Sequence, residues 1–380
     1  MKKFAVFQYD MGMGGIQKSL RNLLMNLDYT ELSVDLYLFS RENFWDSDPA
    51  AENLFPEAVT VRYIRPGSEI LKYIPFDEAL SRLAPGITAA FPEGVYYDCA
   101  IDFNSYQPEC AAGAILAPAA RRGEWVHNDI EIKLKNEWKY RVLHFFFKGK
   151  FKYFDGFVCV SQGITGPFLR SNRKYMNGDA AVSVIQNYID TEEIEIKKNE
   201  PEQGEELLLN GAFFNLVTIG RLCHQKGYDI MLQELRKAIE LRGPLTEADP
   251  KKYPPLRLTL IGDGPDRKKL EKQAAALGLL KPGEETVCFA GKRNNPFCIM
   301  NRADAFISTA RYEGQAMNIM EARAVGLPLY CTKNLEAYVE WLEGCDRIGE
   351  AVAGAVRQEH RPDRMEDYNR KIIAAVRDLG

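Results

Sequence analysis

Two glutamates in the second half of the chain have the spacing of a ligand-binding turn followed by a helix. Glu313 falls just after the apolar run 305–308, and Glu321 lies eight positions later inside a second apolar pattern. The N–H groups at the start of such a helix attract anions. An anion site between two carboxylates suggests a sugar nucleotide as ligand. An exposed turn glutamate followed by an ordinary helix glutamate has the same spacing, and spacing alone favours that plainer interpretation.

Strand-like and helical segments alternate along the chain. Residues 4–7 and 34–39 are predicted strands that flank a helix over about 16–27. The pattern begins again in the middle of the chain, with a strand at 216–219, a glycine-containing turn and a helix from about residue 228. Alternation of this kind predicts a parallel sheet with helices on both faces, and here it occurs twice.

We therefore predict an α/β protein of two Rossmann-like, doubly wound domains facing each other across a cleft. The first domain would cover residues 1–195, and the second would cover residues 196–365. Residues 366–380 are predicted to form a helix that returns toward the first domain. The acidic stretch 191–211, which contains proline and glycine, is the predicted linker. Ligands of doubly wound sheets bind at the carboxyl ends of the strands.

The composition and net charge of the chain limit the kinds of partner that it can bind. The chain has 380 residues, 46% of them hydrophobic, and a net charge of −4 with a pI near 5.8. Nucleic acid is excluded as the main partner because binding to its phosphates requires a basic surface. The N-terminal apolar run ends at Asp10, which is too early for a signal peptide, and no window reaches the length of a spanning helix. These features predict a cytoplasmic protein. The 8 scattered cysteines are expected to be reduced, and the 4 histidines include no ligand-like pair.

Two features of the first domain bear on which kind of nucleotide the protein binds. The turn 12–15 lacks the full dinucleotide fingerprint, and the second strand ends in Ser40 and Arg41 without the acid that binds a NAD ribose. A NAD enzyme is therefore disfavoured. A phosphate-binding loop of the kinase type is also absent from the sequence.

Four segments together give the chain a family resemblance. They occur in the order 14–17 (GGIQ), 220–227 (GRL and KG), 261–265 (IGDGP) and 312–322 (YEG to EA), with softer matches at 125–128, 160–161 and 185–187. The chain resembles a group 1 (family 4) retaining glycosyltransferase of the GT-B architecture. This resemblance implies that the domain of residues 1–195 binds the acceptor and that the domain of residues 196–365 binds the nucleotide-sugar donor. The resemblance spans nearly the whole chain, and it rests on the joint order of motifs that are individually weak.

The resemblance implies a role for each of four side chains. Arg221 and Lys226 would bracket the donor diphosphate, where fixed cations offset the charge that grows on the leaving group. Glu313 would contact the transferred sugar. His127 would face the sugar from the first domain and support an oxocarbenium-like transition state by hydrogen bonding. A structural arginine and an ordinary loop histidine are the alternatives for Arg221 and His127.

The resemblance also implies a set of nucleotide contacts. Gly14 and Gly15 would let the first loop approach the diphosphate, where a Cβ would clash. Glu321 would accept hydrogen bonds from the ribose hydroxyls. The remaining contacts fall on backbone in turns and at a helix start: Gly262, Gly264, Gly291, Gly314, Gln315, Ala316 and Met317.

No cofactor or metal is expected. Retention in this family is explained by front-face attack, in which the leaving phosphate takes the acceptor proton, so no side-chain base is required. Asp46 and Asp48 match the Asp-x-Asp metal motif of the other glycosyltransferase fold, but they lie in a polar loop and are interpreted as a chance match.

Three departures from the family pattern bear on the donor. Tyr188 stands where glycine is frequent, Asn318 stands where a small or apolar residue is usual, and residues 332–336 replace a glycine-rich turn. The fold prediction is unaffected by these changes, but they leave the identity of the donor open.

The acceptor is predicted from residues 133–154. Seven Lys or Arg side chains there are interleaved with aromatic residues. Such a segment suits an anionic membrane carrying a lipid-linked acceptor. An amphipathic helix whose aromatics pack under the sheet is an equally good interpretation.

The predicted function is transfer of a sugar, with retention, from a nucleotide sugar to a glycan or lipid-linked acceptor of the cell surface, with a UDP-sugar as the favoured donor. A nucleotide-sugar epimerase, a phosphorylase and a catalytically silent nucleotide-binding or scaffold protein are the alternatives.

Overall fold

The structure is a computed structural model. It describes residues 1–12, 14–41, 55–65, 67–105, 107–202, 204, 208–280 and 286–379. The chain divides into two compact units, Met1–Ile189 with Glu366–Gly380, and Asp190–Met365. Both are layered α/β units built on a parallel sheet, as the alternating pattern predicts.

The first unit contains a parallel sheet, and its described strands are β1 Lys2–Gln8, β2 Leu32–Leu38, β3 Val59–Tyr63, β4 Tyr97–Asp102, β5 Ala119–Val126, β6 Gly156–Cys159 and β7 Ala181–Val184. Their order across the sheet is β3-β2-β1-β4-β5-β6-β7, and every pairing is parallel. The described helices of this part are α1 Gly15–Asn26, α2 Phe76–Thr88, α3 Pro108–Leu116, α4 Ile130–Asn136, α5 Trp138–Phe147 and α6 Gln162–Asn172. Short 3-10 turns lie at Glu69–Tyr73, Lys148–Tyr153 and Arg173–Tyr175.

The second unit repeats this plan with a smaller sheet. Its described strands are β8 Phe214–Ile219, β9 Leu256–Ile261, β10 Val287–Gly291, β11 Ala305–Ser308 and β12 Leu329–Cys331, in the order β10-β9-β8-β11-β12. Its described helices are α7 Thr191–Lys197, α8 Tyr228–Ala248, α9 Arg267–Ala276, α10 Pro296–Arg302, α11 Met317–Val325 and α12 Ile348–Ala353. The 3-10 turns His224–Lys226 and Lys333–Ala337 complete it.

The strand orders follow from the sequence pattern. Central strands such as β1 and β8 are continuous apolar runs, and their side chains from Phe4 to Phe7 and from Phe214 to Val217 are buried. A strand buried on both faces needs helices on both sides of the sheet. In each unit the chain reverses its direction across the sheet between two central strands, β1 and β4 or β8 and β11. The crevice outside their carboxyl ends is where such sheets bind ligands.

The division between the units differs from the predicted one. It falls after Ile189 rather than after residue 195, because residues from Asp190 onward form a capped helix of the second unit. The Asp190 carboxylate accepts a hydrogen bond from the Glu193 N–H at 2.8 Å, and Ile194 is buried. The first part of the predicted linker is therefore the helix α7. The final described helix, α13 Glu366–Arg377, belongs to the first unit, where Asn369 bonds both backbone groups of Ile189.

Candidate functional site

The loop after β11 carries Glu313 in a buried setting. Glu313 is 5% exposed, and its neighbours Tyr312 and Gly314 are also buried. The loop lies directly against the turn after β8, since a Cβ on Gly227 would come within 2.0 Å of the Thr309 carbonyl oxygen. Gly227 also has a φ of +65°, so this close approach depends on glycine.

An ion pair joins these two loops. Lys226 Nζ lies 2.6 Å from Glu313 Oε1, with the lysine side chain 20% exposed and the glutamate side chain 7% exposed. Gln225 adds support, because its Nε2 donates to the Tyr312 carbonyl at 3.2 Å and lies 3.4 Å from Glu313 Oε2. Two residues predicted separately for the donor site are thus in direct contact. Gln225 was not predicted, and its position beside Lys226 was the available signal.

Arg311 anchors the same loop from its other side. Its guanidinium makes two hydrogen bonds to the Asp229 carboxylate, at 2.7 and 2.6 Å, and donates to the His224 carbonyl at 2.8 Å. This pairing lowers the pKa of Asp229. The hydrogen bonds hold the start of the Glu313 loop against the segment that carries Lys226, so both ends of the ion pair are fixed.

Arg221 is placed differently from Lys226. It lies exposed in the turn that follows β8, and no side-chain hydrogen bond or ion pair joins it to another described residue. Its guanidinium has five N–H donors. The predicted pair of cations therefore consists of one that is held by a carboxylate and one that pairs with no described side chain.

Glycines in the second unit allow its turns to pack closely against one another. A Cβ on Gly262 would lie 2.1 Å from the Gly220 carbonyl oxygen, and a Cβ on Gly264 would lie 2.3 Å from that of Leu222. Gly262 has a φ of +133°, and its N–H donates to the Gly291 carbonyl at 2.8 Å. These contacts bring the ends of β8, β9 and β10 together, and thereby fix the turn that carries Arg221.

The start of α11 lies beside this turn. Ala316 is the N-cap residue and Met317 the first helical residue, while Gln315 is 6% exposed and accepts a hydrogen bond from the Met317 N–H. Glu321 is 6% exposed, one helical turn further on. The structure thus places the predicted nucleotide-contacting segment at a helix start next to the end of β8.

Asn318, a departure from the family pattern, has a structural role. Its Nδ2 donates to the Ile219 carbonyl at 2.8 Å, and its Oδ1 accepts from the Ile319 N–H at 3.0 Å. Ile219 is the last residue of β8, immediately before the turn that carries Arg221. The side chain therefore ties the start of α11 to that turn, which a small or apolar residue could not do.

In the first unit, His127 follows β5 and is buried. Its Nε2 lies 2.8 Å from the Phe103 carbonyl oxygen, and its ring lies 4.7 Å from that of Phe103. Burial lowers the pKa of His127 to about 3. Because a carbonyl only accepts, Nε2 carries the proton, and the neutral ring keeps Nδ1 as an acceptor.

Gly14 and Gly15 open α1 after β1. Gly14 is the N-cap residue, and a Cβ there would lie 2.3 Å from Gln17 Oε1, whereas a Cβ on Gly15 would meet nothing within 4 Å. Asp10 orders this loop by accepting hydrogen bonds from the Gly12 N–H and from Gln17 Nε2, each at 3.0 Å. A side chain on Gly15 would therefore project into open space, and the contact of both glycines with a diphosphate stays a prediction.

The basic and aromatic segment 133–154 divides into two parts. The later part is in the core, where Phe147, Lys150, Phe151 and Phe154 are buried. In α5 an outer face is exposed, with Trp138 at 63% and Phe145 at 62%. The aromatic residues of the later part pack in the core, as the second interpretation expects, and contact of the exposed face of α5 with a membrane stays a prediction. Asp46 and Asp48 lie outside the described residues.

Comparison with known structures defines the class of fold. Anabaena HepE in complex with UDP is 17% identical and covers 100% of both chains with a TM-score of 0.62. WaaG, a glycosyltransferase involved in lipopolysaccharide biosynthesis, is 16% identical, with a TM-score of 0.57 over 98% of this chain and 90% of that one. The two parallel-sheet units are those of the GT-B fold, as predicted.

Sequence comparison finds similarity to one family in the second unit. Residues 199–374 match the family Glycosyl transferases group 1. An uncharacterized glycosyltransferase of Methanocaldococcus jannaschii is 23% identical over 208 residues, which are 55% of this chain and 47% of the relative. The Salmonella typhi Vi polysaccharide biosynthesis protein VipC/TviE is 32% identical over 95 residues, 24% of this chain and 16% of the relative.

The matched residues contain nearly all of the second unit, so the similarity to group 1 glycosyltransferases lies in this part of the chain. The predicted resemblance to group 1 is confirmed. The chain spans less than half the length of these two curated relatives. Assignment to family 4 stays a prediction.

Proposed function

We propose that this chain transfers a sugar, with retention, from a UDP-sugar to a glycan or lipid-linked acceptor in the synthesis of surface polysaccharide or glycoconjugate. The observation that carries the proposal is the Lys226–Glu313 ion pair, beside the turn of Arg221, at the carboxyl ends of β8 and β11. Similar folds have been solved with UDP and with UDP-glucose, which favours UDP as the nucleotide.

The chemistry follows from the side chains. The bond from the sugar C1 to the phosphate oxygen breaks, and C1 bonds to an acceptor hydroxyl, whose proton passes to the leaving phosphate. Negative charge then grows on the diphosphate, where the cations Arg221 and Lys226 stabilise it. Glu313 would hold the sugar, and Glu321 the ribose. The proposal includes neither a metal nor a resident cofactor.

The role of His127 in this proposal depends on its neutral state. With Nε2 engaged by the Phe103 carbonyl, Nδ1 is the ring atom that remains to accept a hydrogen bond from a sugar hydroxyl. A protonated ring would instead repel the positive charge that develops on the sugar. Burial keeps the pKa near 3, so the ring is neutral at physiological pH.

Donor binding and turnover test the proposal. A thermal-shift screen of UDP-, GDP- and ADP-sugars is expected to give the largest stabilisation with a UDP-sugar. Hydrolysis of that donor, with NMR of the released or transferred sugar, is expected to show retained anomeric configuration. Turnover should be lost in Glu313→Ala and Arg221→Ala. Binding without turnover under any acceptor condition would favour the silent nucleotide-binding alternative, and unchanged turnover in both variants would refute the site assignment.

The proposed location is the cytoplasmic face of a membrane, with contact through α5. Trp138, Val142 and Phe145 are exposed at helical spacing on one face of this helix, and Lys148 Nζ lies 4.6 Å from the centre of the Phe145 ring. The helix lies against the turn Glu69–Tyr73, whose Ile70 and Tyr73 are also exposed. Apolar and basic side chains together suit an anionic bilayer surface. No helix in the described ranges is long and apolar enough to cross a membrane.

Sedimentation with vesicles tests this contact. The protein is expected to sediment with phosphatidylglycerol-containing vesicles at low salt, and Trp138→Gln combined with Phe145→Gln should abolish it. Leu241→Gln, on an exposed leucine of α8, is the matched control. Failure of the wild-type protein to sediment would refute membrane contact, and loss of self-association in the double variant would indicate a second copy as the partner of this face.

A further inference from the structure

A buried cluster of charges lies inside the first unit. Lys150 Nζ is 3.2 Å from Asp102 Oδ2, 3.1 Å from Glu124 Oε1 and 2.6 Å from the Ser105 carbonyl oxygen. The three charged side chains are each at most 2% exposed. Lys150 uses its three donors on these partners. An ion cluster this deeply buried is costly to desolvate, so its presence calls for a role beyond stability.

The cluster holds the loop that follows β4. Asp102 Oδ1 accepts hydrogen bonds from the backbone N–H groups of Asn104 and Ser105, each at 3.0 Å. Ser105 has a φ of +66°, a conformation that costs a residue with a side chain about 1 kcal/mol or more. Lys150 binds the carbonyl of this strained residue, and the Ser105 hydroxyl donates to the Trp125 carbonyl on β5.

The same loop contacts His127. Its first residue, Phe103, supplies the carbonyl that binds His127 Nε2, and Asn104 Nδ2 donates to Gln8 Oε1 at the end of β1. The loop 103–105 is therefore fixed at both ends. Asp102 and Lys150 bind its backbone, and His127 Nε2 bonds to the carbonyl of its first residue.

The charges of the cluster balance when one carboxyl is protonated. Burial, with the nearby Asp102, raises the pKa of Glu124 to about 8, although Lys150 acts in the opposite direction. Burial would lower the pKa of Lys150, but Glu124 and Asp102 outweigh it, and the pKa is raised. Near neutral pH, Glu124 is thus protonated beside the charged Lys150.

We propose that Lys150 is a positioning residue that sets the tautomer and orientation of His127 through the loop 103–105. It does not touch substrate. Its ammonium holds the Ser105 carbonyl, and this fixes the Phe103 carbonyl, which selects the ring form with the proton on Nε2 and with Nδ1 as acceptor. The catalytic part of this inference rests on the proposed glycosyltransferase function, whereas the tautomer part does not.

The test combines Lys150→Met with Asp102→Asn. This pair of changes leaves no unpaired buried charge, and the introduced amide oxygen can still accept from the loop N–H groups, so the fold is expected to be retained. Nitrogen NMR of histidine-labelled full-length protein, assigned with His127→Gln, reports the tautomer directly. We expect a single Nε2-protonated form in the wild-type protein and a mixture or a broadened signal in the double variant. With a UDP-sugar, kcat should fall about 10- to 100-fold with little change in the donor KM, as expected for a misplaced group.

Two further variants keep the test decisive. Lys152→Met removes an exposed lysine that pairs with Asp77, and it should leave the His127 signals and kcat unchanged. Ser105→Ala leaves every charge in place but removes the hydroxyl bond to Trp125, and a smaller shift in the same direction is expected.

An unchanged His127 signal in the double variant would overturn the proposal, whatever Ser105→Ala shows. Loss of kcat with an unchanged tautomer would assign Lys150 a structural role only. If the wild-type protein turned over no nucleotide sugar, the proposed function would fail, while the NMR result would still decide whether Lys150 positions His127.

Discussion

Lys226 and Glu313 form an ion pair of 2.6 Å that joins the turn after β8 to the loop after β11. The residues are 87 positions apart in sequence. They meet because β8 and β11 are neighbours at the centre of the second sheet. An ammonium has three donors, so Lys226 is able to hold Glu313 and a phosphate oxygen together.

Removal of either partner of this pair should affect both stability and turnover. Lys226→Met leaves the buried Glu313 carboxylate without its cation, and we expect about 1–3 kcal/mol of lost stability by urea unfolding. Donor turnover should fall about 100-fold or more. A double-mutant cycle with Glu313→Gln is expected to show favourable coupling. Lys237→Met, on an exposed lysine 3.6 Å from Glu350, is the matched control and should change neither quantity. Additive single-variant effects would contradict the pairing.

Arg221 should matter for ligand binding and not for folding. It is exposed and has no ion-pair partner in the described ranges, so Arg221→Ala should change the free energy of unfolding by no more than about 0.5 kcal/mol. Loss of charge-assisted hydrogen bonds should weaken UDP binding about 10- to 100-fold by calorimetry. Arg236→Ala, on an exposed arginine paired with Glu240, controls for loss of a surface charge. An unchanged UDP affinity would remove Arg221 from the site.

Asn318 is expected to couple α11 to the Arg221 turn. In Asn318→Asp the acceptor for the Ile319 N–H is kept, but the donor to the Ile219 carbonyl is lost, whereas Asn318→Ala loses both. If the bond to Ile219 is the important one, both variants should weaken UDP binding to a similar degree, and each should lose about 1–2 kcal/mol of stability. Wild-type affinity in Asn318→Asp would assign the effect to the helix N–H instead.

Glu124→Gln should change how stability depends on pH. The folded pKa of Glu124 is raised to about 8 from an ordinary 4.5, so the folded protein keeps a proton that the unfolded chain releases. The resulting stabilisation is complete below the ordinary pKa and is lost as pH rises toward 8. Urea unfolding should therefore show the variant gaining stability relative to the wild-type protein between about pH 5 and about pH 8, with no further gain above. Glu240→Gln, on an exposed glutamate, is the control, and parallel pH curves for Glu124→Gln and wild type would contradict a buried protonated carboxyl.

The sequence predicts the elements of both units because their patterns are local. Strand β8, Phe214–Ile219, contains the predicted strand 216–219, and helix α8 begins at Tyr228 as expected. Apolar runs, glycine turns and amphipathic helices can each be recognised in the sequence without knowledge of distant residues. Several residues that the resemblance assigned to the site lie at one edge of the second sheet, because the carboxyl ends of parallel strands share that edge. Their roles in the site stay predictions.

Other features were decided by the tertiary structure alone. Nothing in the sequence indicates that Lys150, in a run of exposed-looking lysines, is buried beside Asp102 and Glu124, which come from β4 and β5. The neutral state of His127 likewise depends on burial, and its tautomer depends on a carbonyl 24 residues away. The periodicity of apolar residues in the sequence indicates which face of a helix or strand is apolar. Which charged side chains meet, and how far their pKa values move, depends on strand order and burial, which only the folded chain determines.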